Sequence, residues 1–483
     1  MTPPLAGLLV FGTSGVVLVM EIVAGRLLAP YVGVTLETFT AIIGTVLASI
    51  ALGTWLGGRL ADRVEPRRLL GPELALGGVA VALAVPMARL LGPTAVRADP
   101  PTLVLLVLVT VFVPAAVLSA VPPAVVKAVL ADLDQTGSVV GRYSALGTAG
   151  AIAGTFLTGF VLVPLFRTSQ ILVGLAVLLV VSGLALWWWL APTRTTLLII
   201  PALLGAVWLG NTLADPCETE TSYYCVRVEQ DRETSSGRTL WLDTLRHAHV
   251  DLEDPTELRF TYTRMLAAVA DATSEGPVDV LHIGGGGFTM PRWLEATRPG
   301  STGVVLELDP VIVDIAQARL GWEQSPAVEV HVGDARLGIW RVDQSSADLA
   351  IGDAFGGVAV PWHLTTDEFV GQVAAVLRTD GVYAANIIDG SEMAFLRAEA
   401  ATFATVFDQV AVLSLPERFG SGGNFLVVGS DEPIPSDEIV AAGELLDLDL
   451  RVLTGDELDD FIGDSQVLTD DHAPVDQLLT PGR

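Results

Sequence analysis

The sequence predicts a multi-pass α-helical membrane domain followed by an α/β, Rossmann-like domain with a small N-terminal β lobe. Three observations carry this. Charge-free stretches of about membrane-spanning length are confined to the first 214 residues, the charge balance changes abruptly near Asp215, and the second half alternates short strand-like runs with helical ones. The chain has 483 residues, 51% of them hydrophobic, and a net charge of -28. Residues 1–214 carry 8 acidic and 11 basic side chains and residues 215–483 carry 47 and 16, so the averages conceal two unlike parts.

In the first part, apolar runs free of charge occur at 38–58, 102–126, 143–166, 168–193 and 195–214. Residues 5–29 and 69–92 are equally apolar apart from Glu21 and Arg26 in one and Glu73 and Arg89 in the other. Crossing the hydrocarbon takes roughly 20 apolar residues, so about seven spans are expected and the lipid bilayer is a partner. The opening MTPPLAGLLV lacks a basic n-region and runs straight into a full span, unlike a cleaved leader. The loop after the second span carries Arg59, Arg63, Arg67 and Arg68. With Lys127, Arg142 and Arg194 these outnumber Arg26, Arg89, Arg97 and Arg167 of the alternate loops. The positive-inside rule then puts the N-terminus in the cytoplasm and, after seven spans, the acidic domain on the extracytoplasmic face of the cell membrane. Glu21 is costly to place in lipid and has Arg26 about one turn away as a partner, a structural pairing or part of a ligand path.

Cys217 and Cys225 follow the last span. Their spacing suits a local disulfide in an oxidising compartment, although two free thiols are the plainer reading of two cysteines alone. It does not suit a metal, which would want a tighter pair and further ligands, and no metal is expected. The strongly acidic second half repels nucleic acid, which is not expected as a partner.

That half opens with YYCVRVEQD and GRTLWLDTLRHAHVDL, strands about the polar turn DRETSSGR, and then the helical pattern PTELRFTYTRMLAAVADA, giving a lobe and linking helix over 215–264. Over 265–483 the runs VDVLHI, GVVLELD, VEVHVGD, ADLAIGDA, GVYAANII and NFLVVGS alternate with helical stretches, which predicts a doubly wound parallel sheet. Ligands bind such sheets at the carboxyl ends of the strands, where the polar residues gather here. Gly284, Gly285 and Gly286, with Gly287, follow the first strand and allow backbone to approach a ligand closely. Glu307 ends the second, at the separation from the glycines where an acid reaches ribose hydroxyls, and Asp334 and Asp353 close the third and fourth. A nucleoside site is the expectation. A dinucleotide is not, because the third glycine of G-x-G-x-x-G is Thr289.

The stretches LHIGGGGFTMPRWLEA, VLELDPVIVDIA, VHVGDAR and LTDDHAPVDQLL resemble the spermidine synthase (polyamine aminopropyltransferase) family, specifically its branch fused to an N-terminal multi-helix membrane region. RLADRVEPRR resembles that branch's loop between helices, and LWLDTLRHAHVDLEDPTELRFTYTRM the family's strand lobe. The resemblance implies a methyltransferase-type fold, a sulfonium nucleoside as co-substrate (decarboxylated S-adenosylmethionine, or S-adenosylmethionine itself), a small-molecule amine acceptor, and a homo-oligomer. It makes Gly284, Gly285 and Gly286 the nucleoside loop, Glu307 the ribose ligand, Asp334 the adenine contact and Asp353 the catalytic carboxylate. Asp243, His247 and Tyr262 fall on the acceptor side or lobe. Departures also fall there: Gly356 replaces the second acid of the Asp-x-x-Asp loop, His247 a glutamine, and Thr263 and Arg264 a His-Glu pair. Three functions are implied: aminopropyl transfer, another reaction of a sulfonium nucleoside such as methyl transfer or internal cyclisation, and nucleoside sensing without turnover. The carboxylate rim suits cationic ligands.

Overall fold

The computed structural model describes residues 1–33, 36–95, 100–130, 134, 136–190, 199–274, 276–356 and 359–479. Arg97 and Arg194, used in the orientation argument, lie outside them. The chain divides into two compact units, Met1–Val226 and Arg227–Arg483, so the first reaches past the boundary expected at 214.

In the first unit, six helices among the described residues are long and apolar enough to cross a membrane: α1 (Pro3–Val32), α2 (Glu37–Arg63), α3 (Pro66–Ala95), α4 (Pro101–Val129), α5 (Thr136–Leu165) and α6 (Thr168–Leu190). The stretch expected as a seventh span contains the shorter apolar helix α7 (Ile199–Thr212). α1 packs along α5, and α3 along α6. Small residues permit these close approaches. A Cβ at Gly150 of α5 would overlap the Phe11 carbonyl of α1, and one at Gly154 would sit 2.5 Å from the Gly15 carbonyl. Helices without a hydrophobic drive between them gain from such close backbone packing.

After α7, strands β1 (Thr219–Glu220) and β2 (Cys225–Gln230) pair antiparallel, and Cys217 is disulfide-bonded to Cys225. This hairpin is held to the helices. Arg26 of α1 donates to the Ser222 carbonyl at 2.7 Å, and the Glu220 carboxylate accepts from the Thr168 amide of α6 at 2.7 Å. Arg89 of α3 reaches both the Asp215 carboxylate and the Gly210 carbonyl of α7.

In the second unit, β3 (Gly237–Leu242) and β4 (Leu245–Asp251) form the two-residue hairpin of the lobe, with Asp243 in its turn at φ 51°. The linking helix Thr261–Thr273 lies across the expected boundary at 264. The main sheet has the order β12-β10-β11-β9-β8-β5-β6-β7, made of β5 (Asp279–Ile283), β6 (Thr302–Glu307), β7 (Val328–Val332), β8 (Ala347–Gly352), β9 (Leu377–Asp389), β10 (Gln409–Ser414), β11 (Gly423–Ser430) and β12 (Arg451–Leu453). The five strands from β7 to β9 run parallel, while β10, β11 and β12 pair antiparallel. The sheet is therefore mixed, not wholly parallel as the alternation predicted. Only residues 415–422 join β10 to β11, fewer than a parallel crossover needs. Two apolar cores form around the sheet, one including Phe369, Phe395 and Phe425 and the other Met265, Trp293 and Leu426.

Gly150→Val should destabilise the helical unit by about 1–3 kcal/mol through overpacking against α1. Thermal unfolding of the detergent-solubilised full chain checks this, with Gly159→Val, where a Cβ meets nothing within 4 Å, as the neutral control.

Candidate active site

The parallel strands reverse direction of progression between β5 and β8, and the crevice outside their carboxyl ends is where such a sheet binds ligands. β5 delivers the glycine loop. Gly284 has φ 97°, and a Cβ there would lie 2.5 Å from the Asp353 carbonyl oxygen, so only glycine lets the β5 and β8 ends meet. Gly286 also has positive φ, 49°. Phe288 then caps the helix Thr289–Thr297 in a left-handed conformation, held there by burial and by stacking on Trp322 at 3.9 Å between ring centroids.

Glu307, at the end of β6, is buried. Its Oε2 accepts from the amides of Gly285 (2.9 Å) and Gly286 (3.0 Å), and Oε1 from the amide of Asp309 (2.9 Å). Burial raises its pKa, and the three amide donors, which favour the carboxylate, oppose that rise. Asp334 caps the helical turn after β7, with Oδ1 accepting from the Leu337 amide and Oδ2 2.9 Å from His363 Nε2. Glycine loop, Glu307 and Asp334 thus follow three adjacent strands, β5, β6 and β7.

Asp353 follows β8. Its amide donates to the Ile283 carbonyl at 2.8 Å, and its Oδ1 accepts from Asn386 Nδ2 at 2.9 Å. Asn386 is set in turn by Asn424, whose Nδ2 donates to Asn386 Oδ1 at 3.0 Å. Burial pushes the Asp353 pKa up to about 6, against hydrogen bonds from Asn386 and Tyr262 that pull it down. Tyr262 has a hydroxyl within reach of both Asp353 and the His247 carbonyl, the latter at 3.0 Å. It has one proton and donates to one of them at a time. Burial and the Asp353 charge raise its own pKa well above the usual phenolic range. Burial lowers the His247 pKa to about 4, leaving its imidazole neutral at physiological pH.

These groups open onto a cavity of about 530 Å³. Asp353, Tyr262 and His247 line it from the expected set. Asp243 does not, being in the lobe's hairpin turn, and Gly356 is exposed and also absent from the lining. Arg264 turns away and donates to the Leu446 carbonyl at 3.2 Å, and Thr263 is spent on the Phe260 carbonyl. Residues not anticipated also line it: Asn386, Asn424, His249, Arg246, Arg259 and Arg418. Asn386 had a signal, an amide inside the apolar run GVYAANII. The arginines had none, because they come from segments far apart in sequence.

No family model matches the chain. A polyamine aminopropyltransferase of Vibrio vulnificus is 33% identical over 175 residues, covering 35% of this chain and 58% of the relative. Similarity to the polyamine aminopropyltransferases is thus a property of the sequence. The one from Leptospira interrogans is 26% identical over 315 residues, covering 62% of this chain and 60% of its own. The chain therefore spans somewhat over half the length of the relatives it matches. Among solved structures, a probable spermidine synthase from Corynebacterium glutamicum aligns with TM-score 0.48 at 26% identity, over 51% of this chain and 94% of that one.

The nucleoside site expected from the strand ends predicts that Glu307→Ala weakens binding of methylthioadenosine by about 1.5–3 kcal/mol, the size of a lost hydrogen bond to a charged group. Calorimetry on the full chain measures it, and unchanged affinity would place the nucleoside elsewhere.

Proposed function

We propose that this chain is a membrane-anchored, aminopropyltransferase-like enzyme that uses decarboxylated S-adenosylmethionine and releases methylthioadenosine. The observation that carries the reading is the placement of Asp353, which lies against the glycine loop on one side and lines the cavity on the other. The nucleoside lies along Gly284, Gly285, Gly286, Glu307 and Asp334, with its ribose hydroxyls toward Glu307. The acceptor amine enters the cavity. Its nitrogen lone pair attacks the propyl carbon attached to the positive sulfur, the C–N bond forms as the C–S bond breaks, and the sulfur leaves as a neutral thioether.

Asp353 accepts the proton that the attacking nitrogen loses. Its elevated pKa makes it a better base than an ordinary carboxylate while leaving it mostly ionised at neutral pH. Asn386 and Tyr262 hold its orientation. Most of the rate must come from aligning donor and amine, because the sulfonium is already a good leaving group. A second reaction, of S-adenosylmethionine itself by methyl transfer or internal cyclisation, is favoured by one departure, the single acid left on the loop where Gly356 stands.

The helical unit anchors the enzyme in the cell membrane, and the disulfide supports an extracytoplasmic catalytic domain. Arg26 and Arg89, both from the sparsely basic loop set, reach the segment carrying Cys217 and Cys225 or the end of α7, so these share one end of the bundle. By the positive-inside rule that end faces outward. An outward domain would have to receive a donor made in the cytoplasm.

Asp353→Asn should abolish methylthioadenosine release while leaving nucleoside affinity within a few fold. The wild-type rate should fall as pH drops through about 6, and Asn386→Leu, which removes a donor to the carboxylate, should move that limb to higher pH. Release of methylthioadenosine across a pH series decides both, and full activity of Asp353→Asn would overturn the reading. For sidedness, an impermeant thiol reagent on intact cells should label Cys217 and Cys225 only after reduction, and labelling that needs permeabilised cells would reverse the assignment.

A further inference from the structure

The cavity's lining carries more arginines than acids, where a diamine requires acids. Its lining includes three arginines, Arg246, Arg259 and Arg418, against two acids, Asp231 and Asp353. Arg259 is neutralised, since it pairs with Asp231 and, at 2.7 Å, with Glu233. Arg246 and Arg418 pair with no acid among the described residues. Arg246 lies over the Phe260 ring, its guanidinium carbon 5.6 Å from the centroid, and Arg418 makes only a long contact, 3.4 Å, to the Gly422 carbonyl. Both are exposed while lining the cavity.

A second observation is independent of them. His249 is buried, at 4% exposure, and lines the same cavity, yet neither ring nitrogen makes a hydrogen bond. Its Nε2 is 3.7 Å from the Asp231 carboxylate that Arg259 already occupies. A buried polar group without a partner is costly, and a ligand oxygen would relieve it.

From Arg246, Arg418 and His249 we infer that the cavity binds a ligand carrying a carboxylate as well as its reacting amine: an amino acid, not a simple diamine. Guanidinium groups recognise carboxylates through paired, charge-assisted hydrogen bonds, and the neutral imidazole supplies another donor. Away from Asp353, an ammonium of a diamine would find a cavity lined by two cations without acidic partners and by Asp231, already paired with Arg259. The inference rests on the proposed reaction for the identity of the amine end, where Asp353 takes the proton, but it concerns the other end of the ligand. The same carboxylate chemistry could come from the donor, since S-adenosylmethionine carries one that its decarboxylated form lacks.

The test uses the full chain in detergent, saturated with methylthioadenosine, titrated calorimetrically with putrescine, with 4-aminobutyrate (one terminal aminomethyl group of putrescine exchanged for a carboxylate) and with ornithine (putrescine plus a carboxylate). At least one carboxylate probe should bind about tenfold or more tighter than putrescine, a difference of about 1.4 kcal/mol. Arg246→Gln and Arg418→Gln should each remove most of that preference, and the lysine variants should restore part of it. Methylthioadenosine affinity, read in the same variants, reports that the fold is intact. Tighter binding of putrescine, or a preference indifferent to both arginines, would overturn the inference. Turnover with both donors then assigns the source: a preference for carboxylate-bearing amines with the decarboxylated donor places the group on the acceptor, and turnover confined to S-adenosylmethionine places it on the donor. Carboxylate binding without methylthioadenosine release from any pair would sink the proposed reaction and leave the binding inference standing.

Discussion

The Glu307 carboxylate is the joint on which the nucleoside side depends. It accepts from three backbone amides, two in the glycine loop and one at Asp309, and so fixes the end of β6 to the turn after β5. Backbone bonds from Gly284 to the Leu306 carbonyl and from Phe288 to the Gly285 carbonyl hold the loop alongside it. The same loop meets the β8 end, where Gly284 touches the Asp353 backbone. Glu307, the glycine loop and the Asp353 backbone are thus joined by direct contacts. Burial raises the Glu307 pKa, and the three amides that donate to the carboxylate oppose that rise without a cation beside it.

The acceptor side is built on different terms. Asp353 is positioned by a relay of amides, Asn424 to Asn386 to Asp353, which is neutral and therefore orients the acid without cancelling its charge. Across the cavity, fixed charge is arranged in two ways, as a closed set in Asp231, Arg259 and Glu233 and as open cations in Arg246 and Arg418. The contrast with the domain as a whole sharpens the point. Residues 215–483 carry nearly three acids for each base, so a generic patch of this surface would be negative. Arginines free of acidic partners in a cavity of such a domain are a local reversal, and local reversals of charge govern what enters.

The strand-end positions of the glycine loop, Glu307, Asp334 and Asp353 were legible in the sequence because each is local. Each feature there sits at the end of one strand, so a short run such as LHIGGGG or VLELD shows both the strand and the residue it delivers. The mixed sheet was less legible: β10 lies in a run whose apolar residues fit strand or helix, and only the brevity of 415–422 shows that its partner returns antiparallel. The cavity was least legible. Arg246 comes from the lobe and Arg418 from the turn between β10 and β11, and their meeting is a product of folding that no spacing encodes. Of the carboxylates read from strand ends, Asp353 lines this cavity and Glu307 and Asp334 do not.

Selectivity in such a site is a difference between affinities, and it can be produced by repulsion as well as by attraction. At 0.15 M salt the screening length is about 8 Å, so exposed arginines act only on groups that come well inside the cavity. They would do little to the encounter with a cationic amine and much to its final seating. The missing acid at Gly356 acts in the same direction, since nothing on that loop besides Asp353 would hold a second ammonium. The absence of an acid at Gly356 and the presence of Arg246 and Arg418 in the lining have one electrostatic sense. Both disfavour a second ammonium in the cavity, while the glycine loop and Glu307 stand at the ends of other strands and take no part in that balance.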